Sequence, residues 1–108
     1  MAVRQHRYRV TLEHLAQPRA EGPLHPPLVF EDGNHDDIFE IVERQRATGR
    51  FGTEDEAAAF ALGLKLLGEA VLRNRQDALL QQFKPALGEV IRALKDEGKA
   101  RAAAKQVE

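Results

Sequence analysis

Hydrophobic and polar positions alternate near the start of the chain. Tyr8, Val10 and Leu12 fall on one face of an extended segment over residues 7–15, and mostly charged residues fall on the other. A period of two with aromatic and β-branched residues is typical of a half-buried strand. The pattern therefore predicts a first β-strand over these residues.

The next segment, residues 16–27, contains four of the five prolines. Proline cannot donate a hydrogen bond to a β-ladder, so this segment predicts a loop. A short apolar run at residues 28–31 predicts a second strand, and we expect the two strands to pair antiparallel. A two-stranded ribbon is marginally stable alone, so it must pack on something or be extended by another chain.

A helical pattern follows over residues 35–47. Asn34 is a good N-cap residue, and Asp36 and Asp37 would then lie in the first turn, where carboxylates meet the positive end of the helix dipole. Gly49 is expected to end the helix in a left-handed conformation. The residues expected on its buried face are Ile38, Phe39, Ile41 and Val42.

Thr53, followed three residues later by Glu56, has the spacing of a capping box and predicts the start of a long helix over about residues 54–75. Asp77 can cap a third helical segment near residues 77–83. Apolar residues continue at helical spacing beyond this point. They are Leu79, Leu80, Phe83, Leu87, Val90, Ile91 and Leu94.

Pro85 interrupts this stripe and disfavours helical geometry at the preceding residue, so a kink and a fourth piece over residues 85–97 are expected. Gly98 is the expected stop. The tail, residues 98–108, has helical propensity but little apolar surface to bury, and we expect it to fray.

The long helix has an unusual surface. Residues 57–72 contain only two charges, Lys65 and Glu69, which are four residues apart and predict one narrow solvated stripe. Gly63 and Gly68 lower helix propensity, and we expect a closely packed neighbour to justify them. Either this helix is the core of a monomer, or part of its surface meets a second copy of the chain.

Together these elements predict an α+β fold, in which a two-stranded antiparallel β-ribbon packs on a bundle of three to four helices. The length of 108 residues indicates a single domain over residues 1–108, with an ordered core at about residues 6–97. A hydrophobic content of 43% is normal for a globular chain.

Charge and cysteine content exclude several classes of function. The 16 basic and 17 acidic residues leave a net charge of −1, so the chain has no bulk field to attract nucleic acid or anionic lipid. The absence of cysteine excludes disulfides, thiol nucleophiles and cysteine-ligated metals. There is no apolar signal segment and no membrane-spanning run. We therefore expect a soluble cytoplasmic protein.

The acidic segment "EDGNHDD", residues 31–37, is the main candidate for a ligand site. Asp32, Asn34 and Asp36 have the spacing of a calcium loop, with Glu43 at the twelfth position. However, the sixth position, which must turn sharply, lacks the glycine of such loops, and a strand rather than a helix precedes it. Helix capping explains every residue of the segment except His35.

The histidines lack the spacing of a metal motif, and the sequence does not place them relative to one another. They are His6, His14, His25 and His35. A composite site of His35, an adjacent aspartate and the distant His14 is an alternative to four surface histidines. There is no serine and no cysteine, no threonine stands out as a nucleophile, and no glycine-rich phosphate loop is present. An enzymatic function is therefore not favoured, and no cofactor is expected.

A basic strand is formed by Arg4, Arg7 and Arg9 with Tyr8 between them. Strand-and-helix proteins that read DNA use such strands in the major groove. The acids are as numerous as the bases, however, and such readers need neither the proline-rich loop nor a third helix. We therefore expect a solvated strand face rather than a nucleic-acid site.

Four segments of the chain resemble a known family when taken together: "YRVTLEHL", "NHDDIFEIVERQRATGRF", "AAAFALGLKLLGEAVLRNR" and "FKPALGEVIRALK". They resemble, over about residues 7–96, a family of small uncharacterised bacterial proteins classed as a domain of unknown function, number three-eight-six-one. The resemblance implies a compact α+β domain with two strands followed by helices. It implies no activity, substrate, cofactor or catalytic residue.

The sequence therefore predicts a non-enzymatic, self-associating interaction or structural module, with a homodimer as the expected assembly. The alternative is a small-ligand or metal-binding module that uses Asn34, His35, Asp36 and Asp37 at the start of the first helix. The identity of any small-molecule ligand is not indicated. The candidate interface residues are Phe60, Ala61, Gly63, Leu64 and Gly68.

Overall fold

The structure is a computed structural model that describes residues 5–19 and 21–107, with side chains as far as residue 105. Two antiparallel strands, β1 (His6–Leu12) and β2 (Leu28–Asn34), are followed by four helices. The helices are α1 (Ile38–Ala47), α2 (Glu54–Arg73), α3 (Ala78–Gln81) and α4 (Lys84–Val107). The α+β class, with two strands and then helices, is confirmed. Arg4 and the last residue of the tail lie outside the described residues.

The chain divides into two compact units, the first ending at Asp37 and the second beginning at Ile38. The first unit contains the β-ribbon and its long loop, and the second contains the four helices. The expectation of a single domain over the whole chain stays a prediction.

The β-ribbon has a continuous register in which His6 is opposite Asn34 and Leu12 is opposite Leu28. β1 ends at Leu12, three residues before the predicted end. β2 continues past Glu31 to Asn34, three residues beyond the prediction. The propensities of the acidic segment favour a loop or the start of a helix. Pairing with β1 makes it a strand instead, because β1 offers backbone hydrogen bonds along its full length.

The start of α1 was wrongly predicted. Asn34 is the last residue of β2 and not the N-cap of the helix, and Asp36 and Asp37 precede the first helical residue. Asn34 instead accepts a hydrogen bond at Oδ1 from the backbone N–H of Asp36, at 3.0 Å, which is an Asx turn. The turn ends β2.

The end of α1 is as expected. Gly49 has a φ of +70°, which is the left-handed conformation that glycine adopts at little cost. The Thr48 hydroxyl donates to the carbonyl of Gln45 at 2.8 Å and so satisfies one of the last carbonyl groups of the helix. The expected burial of Phe39 is wrong, since this side chain is 73% exposed, whereas Ile38 is buried.

Helix α2 begins as the capping signature predicts. Thr53 is extended, and its hydroxyl accepts the backbone N–H of Glu56 at 3.0 Å. Ala57 and Ala61 are buried where α2 packs against α1, because small side chains allow the two helices to approach closely. The predicted solvated stripe is wrong at Glu69, which is 3% exposed and lies 3.9 Å from Arg73 Nε. Tertiary packing here covers a position that periodicity assigns to solvent.

The last two helices confirm the predicted interruption before Pro85. Asp77 caps α3 by accepting the Leu80 N–H at 3.1 Å, and α4 begins one residue before the proline, where a missing N–H costs nothing. The predicted stop at Gly98 is wrong, because α4 continues to Val107. The glycine costs about 1 kcal/mol of helix propensity. Strong helix formers follow it, and the carboxylate of Glu97 pairs with Arg50 at the same turn. Fraying of the tail stays a prediction.

Candidate functional site

The side chains of the acidic segment satisfy backbone hydrogen bonds. Asp32 Oδ1 accepts the N–H of Gly33 at 2.9 Å, and Asn34, which is 1% exposed, holds the Asx turn. The Tyr8 hydroxyl, on the opposite strand, donates to the carbonyl of Asp36 at 3.1 Å. These contacts fix the exit of β2. In a calcium loop the side-chain oxygens of Asp32 and Asn34 would bind the cation, whereas here they accept backbone N–H groups.

Glu43, the twelfth position of the calcium-like spacing, lies in α1, where its carboxylate pairs with Arg46 at 3.0 Å. His35 Nε2 lies 3.5 Å from a carboxylate oxygen of Asp36, and more than half of the His35 side chain is exposed. Within residues 5–19 and 21–107, no group of three or more histidine, aspartate or glutamate residues is arranged to hold a metal ion.

The histidines fall at opposite ends of the ribbon. His14 and His25 stack in the proline-rich loop with ring centroids 5.2 Å apart, and His14 Nδ1 accepts the backbone N–H of His25 at 3.0 Å. His35 follows the other end of β2, and His6 stacks against Tyr8. A seven-residue strand at about 3.3 Å per residue separates the two ends by roughly 20 Å. This distance does not allow the composite site of His14 with His35.

The polar face of the ribbon has a compact ion-pair network. Arg9 Nη2 lies 2.8 Å from Glu31 Oε2, and Arg7 Nη2 lies 3.4 Å from Glu31 Oε1. The hydrogen bond and charge of Arg9, and then those of Arg7, lower the pKa of the Glu31 carboxyl from its ordinary value. Two arginines share one glutamate, so part of the basic strand predicted from the sequence is neutralised within the ribbon.

The other face of the ribbon is apolar and open at one end. The register places Leu12 opposite Leu28, and Val10 opposite Phe30, so these two cross-strand pairs lie side by side on one face. Leu12 is 63%, Leu28 54% and Phe30 38% exposed. The sequence did not identify this surface, because the pairing that joins the two strands depends on register. The alternation in β1 was the available signal for half of it.

The five interface candidates in α2 differ in exposure. Ala61 is fully buried within the chain, and Phe60 is half-buried and tilted against Phe51 with ring centroids 5.1 Å apart. Gly63 is exposed, whereas Leu64 and Gly68 are half-buried. A Cβ added at Gly63 or Gly68 would meet no atom within 4 Å. The close-packed neighbour expected for these glycines is therefore not found among the described residues.

The apolar stripe beyond α2 is also partly uncovered. Leu79 is 67%, Phe83 44% and Val90 40% exposed, and α4 makes sparse contacts with the other helices. The half-buried residues of the same stripe are Leu80, Leu87, Ile91 and Leu94. None of the helices in the described part of the chain is long and apolar enough to cross a membrane.

Comparison with known proteins gives a family and a fold. A family model described as a domain of unknown function with solved structure, DUF3861, matches residues 6–96. A crystal structure of a protein of unknown function from Pectobacterium atrosepticum is similar to this chain, with a TM-score of 0.70 and 28% sequence identity. The similarity covers 85% of this chain and 98% of that one. No curated protein matches the chain.

Proposed function

Because the chain belongs to the DUF3861 family, whose description names no activity, we propose its function from its surfaces: a non-enzymatic module that self-associates into a homodimer. The observation that supports this proposal is the open apolar face of the β-ribbon, formed by Leu12, Leu28 and Phe30. Contiguous exposed apolar patches are often functional and mark sites of contact with other proteins.

A second copy of the chain is the occupant that this face fits best. Arg7, Arg9 and Glu31 lie on the opposite face of the ribbon. Asp32 shares the apolar face, but it lies opposite Tyr8, toward the end away from Leu12 and Leu28. The ends of two ribbons that carry Leu12 and Leu28 can therefore meet across a twofold axis without bringing like charges together.

The size of the open face limits how strong such a dimer can be. The exposed parts of Leu12, Leu28 and Phe30 amount to about one and a half side chains per copy. Covering them in both copies stabilises the dimer by roughly 5–9 kcal/mol. Association itself costs about 4–15 kcal/mol. The ribbon alone thus supports a weak dimer, and a stronger one needs a second surface.

The second surface in this proposal is on α2, around Gly63, Leu64 and Gly68. A Cβ added at either glycine would meet open space, so a neighbouring helix could approach the backbone closely at each. The two glycines are five residues apart and so lie about 140° apart around the helix, which makes them two separate contact points. Ala61 and Phe60 would contribute indirectly. The burial of Ala61 where α2 packs against α1 fixes which side of α2 is exposed. A cytoplasmic location is part of the same proposal, and the similar protein from Pectobacterium atrosepticum supports a bacterial origin.

The test is the mass of the protein in solution, measured by light scattering from about 10 µM to about 1 mM, a range that brackets weak association. The proposal expects the mass to rise from that of one 12.1 kDa chain toward twice that value. A mass that stays at 12.1 kDa over the full range would exclude it. The alternative ligand site at Asn34–Asp37 gains no support from the geometry, since its polar groups stabilise the turn.

A further inference from the structure

A small pocket lies where α1 ends and α2 begins, within the helical unit. Its volume is ≈ 160 Å³. An engineered protein cavity of about 150 Å³ holds a benzene-sized molecule, so the pocket has room for a small organic compound. The lining residues are Gln45, Arg46, Phe51, Gly52, Thr53, Glu54 and Ala57.

One residue of the pocket wall has a buried hydrogen-bond acceptor without a donor. Gln45 lines the pocket and is 5% exposed, and its Oε1 has no hydrogen-bond partner among the described residues. Buried side-chain oxygens are nearly always paired, and an unpaired one is destabilising, so a donor that reaches it is favoured. Gln45 lines the pocket, and we expect a rotation of its amide group to bring Oε1 to a bound ligand. The missing partner is therefore a group with an N–H or O–H.

Among the residues that line the pocket the charges of Arg46 and Glu54 cancel, and nearby acidic residues make its surroundings negative. Arg46 is already held by two carboxylates, with Glu43 Oε1 at 3.0 Å and Glu54 Oε2 at 4.0 Å, and its Nε also donates to the carbonyl of Glu54 at 3.4 Å. The first turn of α2 adds Asp55 and Glu56. These acids outweigh the partial positive charge of about +0.5 at the start of the helix. A cation is favoured here over an anion.

The remaining wall is aromatic and apolar. Phe51 lines the pocket and is supported by Phe60 behind it, at a centroid distance of 5.1 Å. Ala57, which is 1% exposed, forms the floor. An aromatic ring attracts a cation placed over its face and also covers the apolar body of a ligand.

We propose that the pocket between α1 and α2 binds a small organic ammonium ion. Its N–H donates to Gln45 Oε1, its charge pairs with the carboxylate of Glu54, and its hydrocarbon part lies against Phe51. This site is independent of the self-association proposed above, because it uses neither the ribbon nor the open side of α2.

The test is a set of titrations of the ¹⁵N-labelled full chain, followed by amide chemical shifts. The probes are n-butylammonium, n-butyrate and n-butanol, which have similar size and differ in charge. We expect n-butylammonium alone to move the amides of Gln45, Ala57 and residues 51–54. The binding should be weak, because the ligand is small and the pocket is partly open.

Two substitutions separate the parts of the site, and a third is the control. Glu54→Gln should weaken n-butylammonium binding up to about fivefold, as for a partly exposed ion pair. Gln45→Met, which keeps the length but removes the acceptor, should weaken it about two- to tenfold. Asp55→Asn removes the same charge from the same helical turn, but Asp55 does not line the pocket, so it should weaken binding much less than Glu54→Gln does.

Three results would overturn the proposal. The first is that n-butylammonium leaves these amides unmoved at its highest usable concentration. The second is that n-butyrate or n-butanol moves them as strongly. The third is that Asp55→Asn weakens binding as much as Glu54→Gln. The amide spectrum of each variant, compared with that of the unsubstituted chain, shows whether the fold is retained.

Discussion

Replacing Leu12 by glutamine is the sharpest perturbation of the proposed dimer. Leu12 ends β1, lies opposite Leu28 on the apolar face of the ribbon, and is 63% exposed in the isolated chain. Because the side chain is mostly exposed, the substitution should change the free energy of unfolding of the monomer by only a few tenths of a kcal/mol, about the size usual for surface positions. In a dimer the same side chain would be covered.

The expected loss of affinity follows from this exposure. Full burial of a leucine side chain stabilises by about 1.5–3 kcal/mol, so covering the open part of Leu12 contributes about 1–2 kcal/mol per copy. A twofold dimer contains two copies and would lose about 2–4 kcal/mol. At about 1.4 kcal/mol for each factor of ten, the dissociation constant should rise roughly 30- to 700-fold.

Sedimentation equilibrium of the unsubstituted chain and the variant, each over the same range of concentrations, measures this change. Thr11→Gln is the matched control, since Thr11 is the neighbouring residue of the same strand but lies on the opposite face, across from Val29. It should leave the dissociation constant within about threefold of the original.

The reasoning would be refuted if Thr11→Gln weakened association as much as Leu12→Gln. Such a result would mean that the substitutions act by disturbing the strand rather than by uncovering an interface. Equal dissociation constants for the unsubstituted chain and Leu12→Gln would be equally damaging, because they would place the interface away from the apolar face of the ribbon.

Three further predictions concern the chain itself. Gly49→Ala should lower the free energy of unfolding by about 1–2 kcal/mol, because alanine is strained in the left-handed conformation of this residue. Gly63→Ala in α2 should raise the free energy of unfolding of the monomer by up to about 1 kcal/mol, because alanine has the higher helix propensity and its Cβ would meet open space. Urea denaturation measures both changes. Thr53→Ala should remove the N-cap of α2 and cost about 1 kcal/mol in the same assay, and Thr53→Asn, which keeps a capping oxygen, should restore most of it. Arg9→Gln should raise the pKa of Glu31 toward its ordinary value, as followed by carboxyl ¹³C shifts.

The pH dependence of the Glu31 network has a definite sign. Its pKa is lowered in the folded chain, so the stabilisation from its ion pairs is complete above the ordinary glutamate pKa. It is lost as the pH falls through the lowered value of the folded state. A Glu31 carboxyl that titrates at the ordinary glutamate value would contradict the network. For the glycines, a loss of stability in both variants would show that α2 is closely covered near Gly63.

Signals that act over a few residues were read correctly from the sequence. The hydroxyl of Thr53, the carboxylate of Asp77 and the left-handed Gly49 lie where the sequence predicts. A cap needs only a backbone N–H two or three residues away, and a positive φ depends on the absence of a single Cβ. The alternation in β1 is equally local, because successive side chains of a strand must point to opposite faces.

Positions that depend on distant partners were misjudged. The acidic segment continues β2 as far as Asn34 because β1 supplies a partner strand up to His6. The helical pattern alone favoured an earlier start of α1. Gly98 does not end α4. The glycine lowers helix propensity by about 1 kcal/mol, which is small beside the propensity of the surrounding helix formers and the ion pair between Glu97 and Arg50.

By itself, the sequence determined the class of fold, the order of the elements and most of their ends, because hydrogen-bond and dihedral preferences act within a single turn of chain. The tertiary structure decided the register of the ribbon, and with it the open face at Leu12 and Leu28. It also decided the burial of Glu69 and the unpaired oxygen of Gln45. Which side chains meet, and which are left without a partner, depends on contacts between segments far apart in sequence, and no local pattern contains that information.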